Sequence, residues 1–360
     1  MKNQTLAFAI VALGLLMISA CSNPLGGRST ADQNYQPGTA GNVATPTPAP
    51  TPFPSPSVAS VSPSGGRNTG GETLTITGAD FRPGVIFKIG ASACATSTFV
   101  SATSGTCVTP VAASIATVSA SATNTDAQAA TLAGAFTFVG SPKVWLRADA
   151  ITGLTSGSLV ATWNDSSLAA NDFTQPVPGS QPSWIANVLN GKPVVRFAGQ
   201  QMISSSPIGI AGASQRALFF VARKTSTAAK SVFGWGGGST DAIYDHMNYN
   251  GVYMTHFYTH DSFNIGPAFV ANVWGLQASV YNGSLFRFAL DGVNSSSMAI
   301  ALVTTDSVAH VGGGAYSTYD GYDGDIAEAI VLPQSVTTTE QTTIQCYLSR
   351  KYALNLATCP

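Results

Sequence analysis

Apolar residues recur at every second position, in short bursts, from about residue 57 to residue 140. In TLTITG (73–78) Leu74 and Ile76 alternate with threonines, and VIFKIG, ATVSASAT and AFTFVG follow between Gly, Pro and Asp turns. A period of two puts one side of each segment in a core and the other toward water, so these are predicted strands. The same rhythm continues from 141 onward in VWLRAD, PVVRFAG, ALFFVARK, SVFGWGG, GVYMTHFYT, GLQASVY, LFRFALDG and GDIAEAIVL. Asn282-Gly283 between two of them is a hairpin signal, because both residues tolerate positive φ. One stretch has helical spacing instead. After Pro333, threonines 337 to 339 offer N-caps with Glu340 and Gln341 close behind, and Ile344, Tyr347, Leu348 and Tyr352 fall on one face.

The N-terminal end breaks the pattern twice. A positive start at Lys2 precedes an apolar run from Leu6 to Ile18, too short to cross a bilayer core of about 30 Å as a comfortable helix, so residues 1–20 read as a signal peptide. Ile18-Ser19-Ala20-Cys21 resembles the lipobox of bacterial lipoproteins. That resemblance implies cleavage before Cys21, a diacylglycerol on its sulfur and a membrane partner through that lipid; Ser22 in the next position resembles lipoproteins sorted to the outer membrane. Residues 21–56 then carry almost no apolar side chains. Their second half, TPTPAPTPFPSPS, alternates proline and favours a semi-rigid polyproline spacer.

Composition narrows the partners. Charged residues are 9% of the 360-residue chain and the formal net charge is -1. Such a chain has no basic field for nucleic acid or for an anionic membrane surface. Its five cysteines are Cys21, Cys94, Cys107, Cys346 and Cys359. With Cys21 lipidated, four remain and three pairings are possible. Proximity favours Cys94 with Cys107 and Cys346 with Cys359, each closing a loop of about 14 residues worth roughly 3 kcal/mol on the chain-entropy model.

Two family resemblances follow from these segments. VASVSPSGGRNTGGETLTITGADFRPG, VIFKIGASAC, GTCVTP and GAFTFVG look like an IPT/TIG domain, which implies an immunoglobulin-like sandwich over 57–139 serving as spacer or binding module. VWLRADA, VATWNDSS, NGKPVVRFAG, RFALDG, GDIAEAIVL and EQTTIQCYLSRKYAL resemble the LamG-like concanavalin A-type lectin/glucanase superfamily, which implies a two-sheet jelly roll over 141–360. The expected fold class is therefore all-β, with two sandwiches and one C-terminal helix.

Three groups of residues invite chemistry. Asp323, Asp325 and Glu328 superficially resemble the E-x-D-x-x-E signature of laminarinase-type glucanases, with an aspartate in the first place. Retaining hydrolysis needs two carboxyls about 5 to 5.5 Å apart. On a regular strand 323 and 325 share one face and 328 points to the other, so catalysis would need a bulge. Asp320, Asp323 and Asp325 in a glycine-rich loop offer hard oxygen ligands for calcium. Tyr253, His256, Tyr258 and His260 crowd one segment in which 256, 258 and 260 would share a strand face suited to stacking on sugar rings. No serine-hydrolase elbow, phosphate loop or dinucleotide fingerprint occurs. The preferred reading is a non-catalytic, lipid-anchored protein of the cell surface or outer membrane that binds glycan or another extracellular macromolecule. A glucanase-type polysaccharide hydrolase is the alternative, and a structural envelope component is the third reading.

Overall fold

Strands form wherever the two-residue alternation was strong. The computed structural model describes residues 52–237, 239–249, 251–258, 260, 262, 267–315 and 321–359. Residues 1–51, which include the expected signal peptide, Cys21 and most of the proline-rich stretch, lie outside the described residues, as does Asp320. From Phe53 to Pro360 the chain forms one unit.

The first sandwich has two sheets. One orders the strands Ser57–Ser62, Thr73–Ala79, Ser104–Val108 and Thr96–Ser101; the other runs Gly65–Gly66, Ala129–Phe138, Ala116–Thr123, Ile86–Ile89 and Ser92–Ala93. Leu74 and Ile76 point inward, as their alternation demands, and pack with Phe87, Phe136 and Phe138. Cys94 and Cys107 form a disulfide within this core.

The second sandwich stacks a 9-stranded sheet on a 7-stranded sheet. The strand Tyr322–Leu332 is central to the larger one. On one side it pairs with Arg216–Lys224; on the other it pairs end to end with Val144–Arg147 and Lys192–Gln200. The smaller sheet runs from Thr162–Trp163 through Met202–Pro207, Val308–Val311 and Lys230–Gly236 to Val252–His256. Between the sheets lie Trp163, Phe220, Phe233, Trp235, Tyr244 and Phe288. At the foreseen hairpin, Asn282 Oδ1 accepts from the backbone N–H of Ser284 and Leu285 while Gly283 takes a φ of 100°.

The helix α1 (Thr338–Tyr352) begins with a capping box. Thr337 accepts from the Glu340 N–H, and the Glu340 side chain accepts from the Thr337 N–H. Such caps are worth about 1 kcal/mol. Its buried face, Ile344, Tyr347, Leu348 and Tyr352, covers the outside of the 9-stranded sheet, forming a second core with Trp145, Phe219, Ala327 and Ile330. Ile115 and Val139 of the first sandwich belong to that same core. A disulfide joins Cys346 to Cys359 and ties down the segment after the helix.

Candidate functional site

The central strand Tyr322–Leu332 carries the carboxylates. Opposite it, Val221 pairs with Glu328 but Ala222 pairs with Ile326, so Ala327 is an extra residue in a β-bulge. The bulge resets the alternation: Ile326 and Ala329 face the inter-sheet core, whereas both Ala327 and Glu328 face the helix. Asp325, one residue before the inward Ile326, shares that outward face. The regular strand expected from the sequence is thus corrected, and the three carboxylates lie on one side.

Sharing a face does not open a cleft. Glu328 is wholly buried beneath α1. Its carboxylate accepts from Trp145 Nε1 at 2.7 Å, Tyr347 OH at 3.1 Å, Tyr352 OH at 2.9 Å and Lys351 Nζ at 2.7 Å. Burial works against the Lys351 ammonium, but the Glu328 and Asp149 carboxylates beside it hold its pKa above the ordinary lysine value. Both Glu328 oxygens are occupied by structural donors.

Asp325 is also fully engaged, in a different setting. Arg196 donates to it through Nε at 2.7 Å and Nη2 at 3.1 Å, and Arg223 Nη2 makes a third charge-assisted bond. The side chain of Asp325 is 1% exposed, while that of Arg196 is 44% exposed. The aspartate is therefore a buried anchor and the guanidiniums are the presented surface. Arg223 is further fixed by lying 5.0 Å from the centre of the Trp274 ring. Beside them Ser226 Oγ donates to Asp323 Oδ2 at 3.2 Å. These residues, with Phe197 and Thr225, line a cleft of ≈ 470 Å³.

The calcium reading does not fit the donors described. Asp325 is saturated by arginines, Asp323 accepts from Ser226, and Asp320 lies outside the described residues. Among the described residues no group of three His, Cys, Asp or Glu could hold a metal ion.

The aromatic segment is divided by the end of its strand. Val252–His256 is the last regular piece, and Tyr258 takes a φ of 87°, which ends the alternation. Tyr253 turns inward, with its ring 5.1 Å from Phe269 and 6.2 Å from Phe288, and burial pushes its hydroxyl up to about 12. His256 is buried, Tyr258 is 43% exposed, and exposed His260 pairs with Asp241 at 2.8 Å. The shared face expected over 256–260 does not form.

Arg196 and Arg223 escaped the sequence reading. Their signal was present: Arg196 interrupts the apolar run of PVVRFAG, and Arg223 with Lys224 closes that of ALFFVARK. Charges placed there need partners, and both arginines find the same aspartate.

Three solved structures align with parts of the chain. Domain 4 of AbnA, a GH43 extracellular arabinanase from Geobacillus stearothermophilus in complex with arabinotriose, aligns at 13% identity and a TM-score of 0.39, covering 52% of this chain and 97% of that one. The binding domain of Paraclostridial Mosquitocidal Protein 1 aligns at 9% identity and TM-score 0.43, with 58% of this chain and 52% of that one covered. A GH54 α-L-arabinofuranosidase soaked with cyclic sulfate inhibitor aligns at 13% identity and TM-score 0.45, over 63% of this chain and 58% of that one. The chain thus spans little more than half the length of the latter two, and likeness at this level says nothing of what this chain does. No curated protein matches the chain in sequence. The family comparison matches residues 56–138 to the IPT/TIG domain. The smaller sandwich of this chain is therefore an IPT/TIG domain.

Proposed function

We propose that the larger, LamG-like sandwich binds a saccharide without cleaving it, through the cleft of Arg196, Arg223, Ser226 and Asp323. The observation that carries this reading is the buried Asp325 beneath two guanidiniums. It holds both planar donor groups in place before a ligand arrives, so little side-chain entropy is lost on binding. Fixed forks of N–H groups beside hydroxyl and carboxylate acceptors match the in-plane hydrogen bonding of sugar hydroxyls. The carboxylates that hydrolysis would need are committed elsewhere: Asp325 to arginines, and Glu328 to the packing of α1.

The same reading puts the protein on the bacterial cell envelope, anchored by a lipid on Cys21 and spaced outward by the proline-rich segment. Adhesion to, or recognition of, an extracellular glycan is the role that follows.

The test is retention of immobilised polysaccharides by the full chain, with product analysis of the same polymers. Retention without shortening is expected, and Arg223→Ala should weaken it about tenfold, the equivalent of about 1.4 kcal/mol. Reducing-sugar release that disappears in Glu328→Gln would replace this reading with the hydrolase.

A further inference from the structure

A second groove runs along the seam between the IPT/TIG domain and the larger sandwich, far in sequence from the carboxylate strand's exposed end. Its main part is a cavity of ≈ 440 Å³ reached by Arg147, Lys192, Lys351 and Asp149, with Ser62, Pro63 and Ser64 of the IPT/TIG domain as the opposite wall. A second cavity of ≈ 250 Å³ shares Ser64, Tyr347 and Lys351 with the first and extends it to Arg350. Four cations thus line one continuous groove in a chain with only 16 Lys and Arg and a net charge of -1.

The partners of these cations leave the groove net positive. Lys351 Nζ bridges Asp149 at 2.9 Å and Glu328 at 2.7 Å. Arg147 donates through Nε to Ser166 Oγ at 3.2 Å and lies over the Trp145 ring at 4.6 Å, so its orientation is set while its terminal N–H groups have no hydrogen bond among the described residues. The Lys192 backbone sits in a strand ladder opposite Leu189, and its ammonium has no hydrogen bond or ion pair among the described residues. Arg350 Nη2 donates at 3.4 Å to Thr117 and Thr137 of the IPT/TIG domain. Nearby Glu72 is neutralised by Arg67 at 3.3 Å. Four cations therefore face two carboxylates, of which Glu328 is buried beneath the floor.

We propose that this seam groove binds an acidic oligosaccharide, one whose sugars carry carboxylates. The main cavity falls within the about 300–1,000 Å³ of small-ligand sites. Its continuation past Tyr347 suits an elongated ligand of several units. A carboxylate can take the free edge of the Arg147 guanidinium in a bidentate pair and the ammonium of Lys192 as a point charge, while the sugar hydroxyls meet Ser62 and Ser64. The site needs both domains, and it is independent of the arginine cleft of the larger sandwich.

The test is isothermal titration calorimetry on the full chain with trigalacturonate, maltotriose and acetate. Trigalacturonate should bind, neutral maltotriose and acetate should not bind at this groove, and raising the salt should weaken the acidic ligand. Lys192→Glu should weaken trigalacturonate at least tenfold, and Asp149→Asn should tighten it, with both variants first shown to be folded by their unfolding transitions. The opposite signs guard against a fold defect. Absence of trigalacturonate binding, equal binding of maltotriose or acetate that persists in Arg223→Ala, or undiminished trigalacturonate affinity in folded Lys192→Glu overturns the inference. A trigalacturonate signal lost in Arg223→Ala but kept in Lys192→Glu would put the acidic sugar in the arginine cleft and overturn it as well.

Discussion

Lys351 Nζ donates to Glu328 Oε2 at 2.7 Å, across the boundary between the last helix and the central strand of the larger sandwich. The lysine side chain is 7% exposed and the glutamate wholly buried, so the pair is desolvated. Removing Glu328 leaves the buried Lys351 with Asp149 alone, at 2.9 Å, and takes the acceptor from Trp145, Tyr347 and Tyr352. Glu328→Ala should therefore cost about 3–5 kcal/mol, read as a lower denaturation midpoint, whereas the double replacement Glu328→Leu with Lys351→Met should recover much of that loss. Equal destabilisation by the single and double variants would show that the pair's charges are not what holds the helix.

His246 supplies a pH dependence. It is buried between Phe220 and Phe288, and burial lowers its pKa from 6.5 to about 3. The folded chain therefore holds this imidazole neutral while the unfolded chain takes up a proton below about pH 6.5. Stability from this group is fully present above pH 6.5 and is lost as the pH falls toward 3, by on the order of 3–5 kcal/mol in all. Urea titrations from pH 7 to pH 4 should show the decline, and His246→Phe should flatten it.

Tyr253 separates a binding face from a core. Its ring packs inside the sandwich against Phe269 and Phe288, so Tyr253→Ala should lower stability by about 3–5 kcal/mol while Tyr258→Ala, at an exposed position, should change it by less than about 0.5 kcal/mol. Thermal unfolding of the two variants decides the matter.

The proposed lipid anchor rests on Cys21. On the proposed reading, Cys21→Ser moves the protein from the membrane to the soluble fraction on cell fractionation, and mass spectrometry of the wild type finds the mature N-terminus acylated at Cys21. A thiol left unmodified there would end the lipoprotein reading.

The strands and the helix were legible because each is written locally. TLTITG needs only its own alternation to place Leu74 and Ile76 inward, and the Thr337 to Glu340 capping box lies within one helical turn. The bulge at Ala327 was not legible, because nothing in GDIAEAIVL says that two consecutive residues will oppose a single partner on a neighbouring strand. The arginine cleft was hidden for a related reason. Asp325 meets Arg196 and Arg223 across 129 and 102 residues of sequence, and only the strand order of the sheet brings the three together. The aromatic segment misled because Tyr258 continues the two-residue spacing in sequence after the backbone has left the strand.

Tyr347 is wedged against Gly65, where even an added Cβ would meet the tyrosine ring at 2.5 Å. The contact has a mechanical meaning. With Ile115 and Val139 locked into the same core as the helix, the IPT/TIG domain cannot pivot freely on the larger sandwich. A tug on the N-terminal strand would load the joint in shear over many contacts at once, and would not peel it open one residue at a time. Under tension the two sandwiches should yield together, as one lever arm with its fulcrum at the tyrosine, so a force–extension trace should show a single large rupture where two hinged beads would show two.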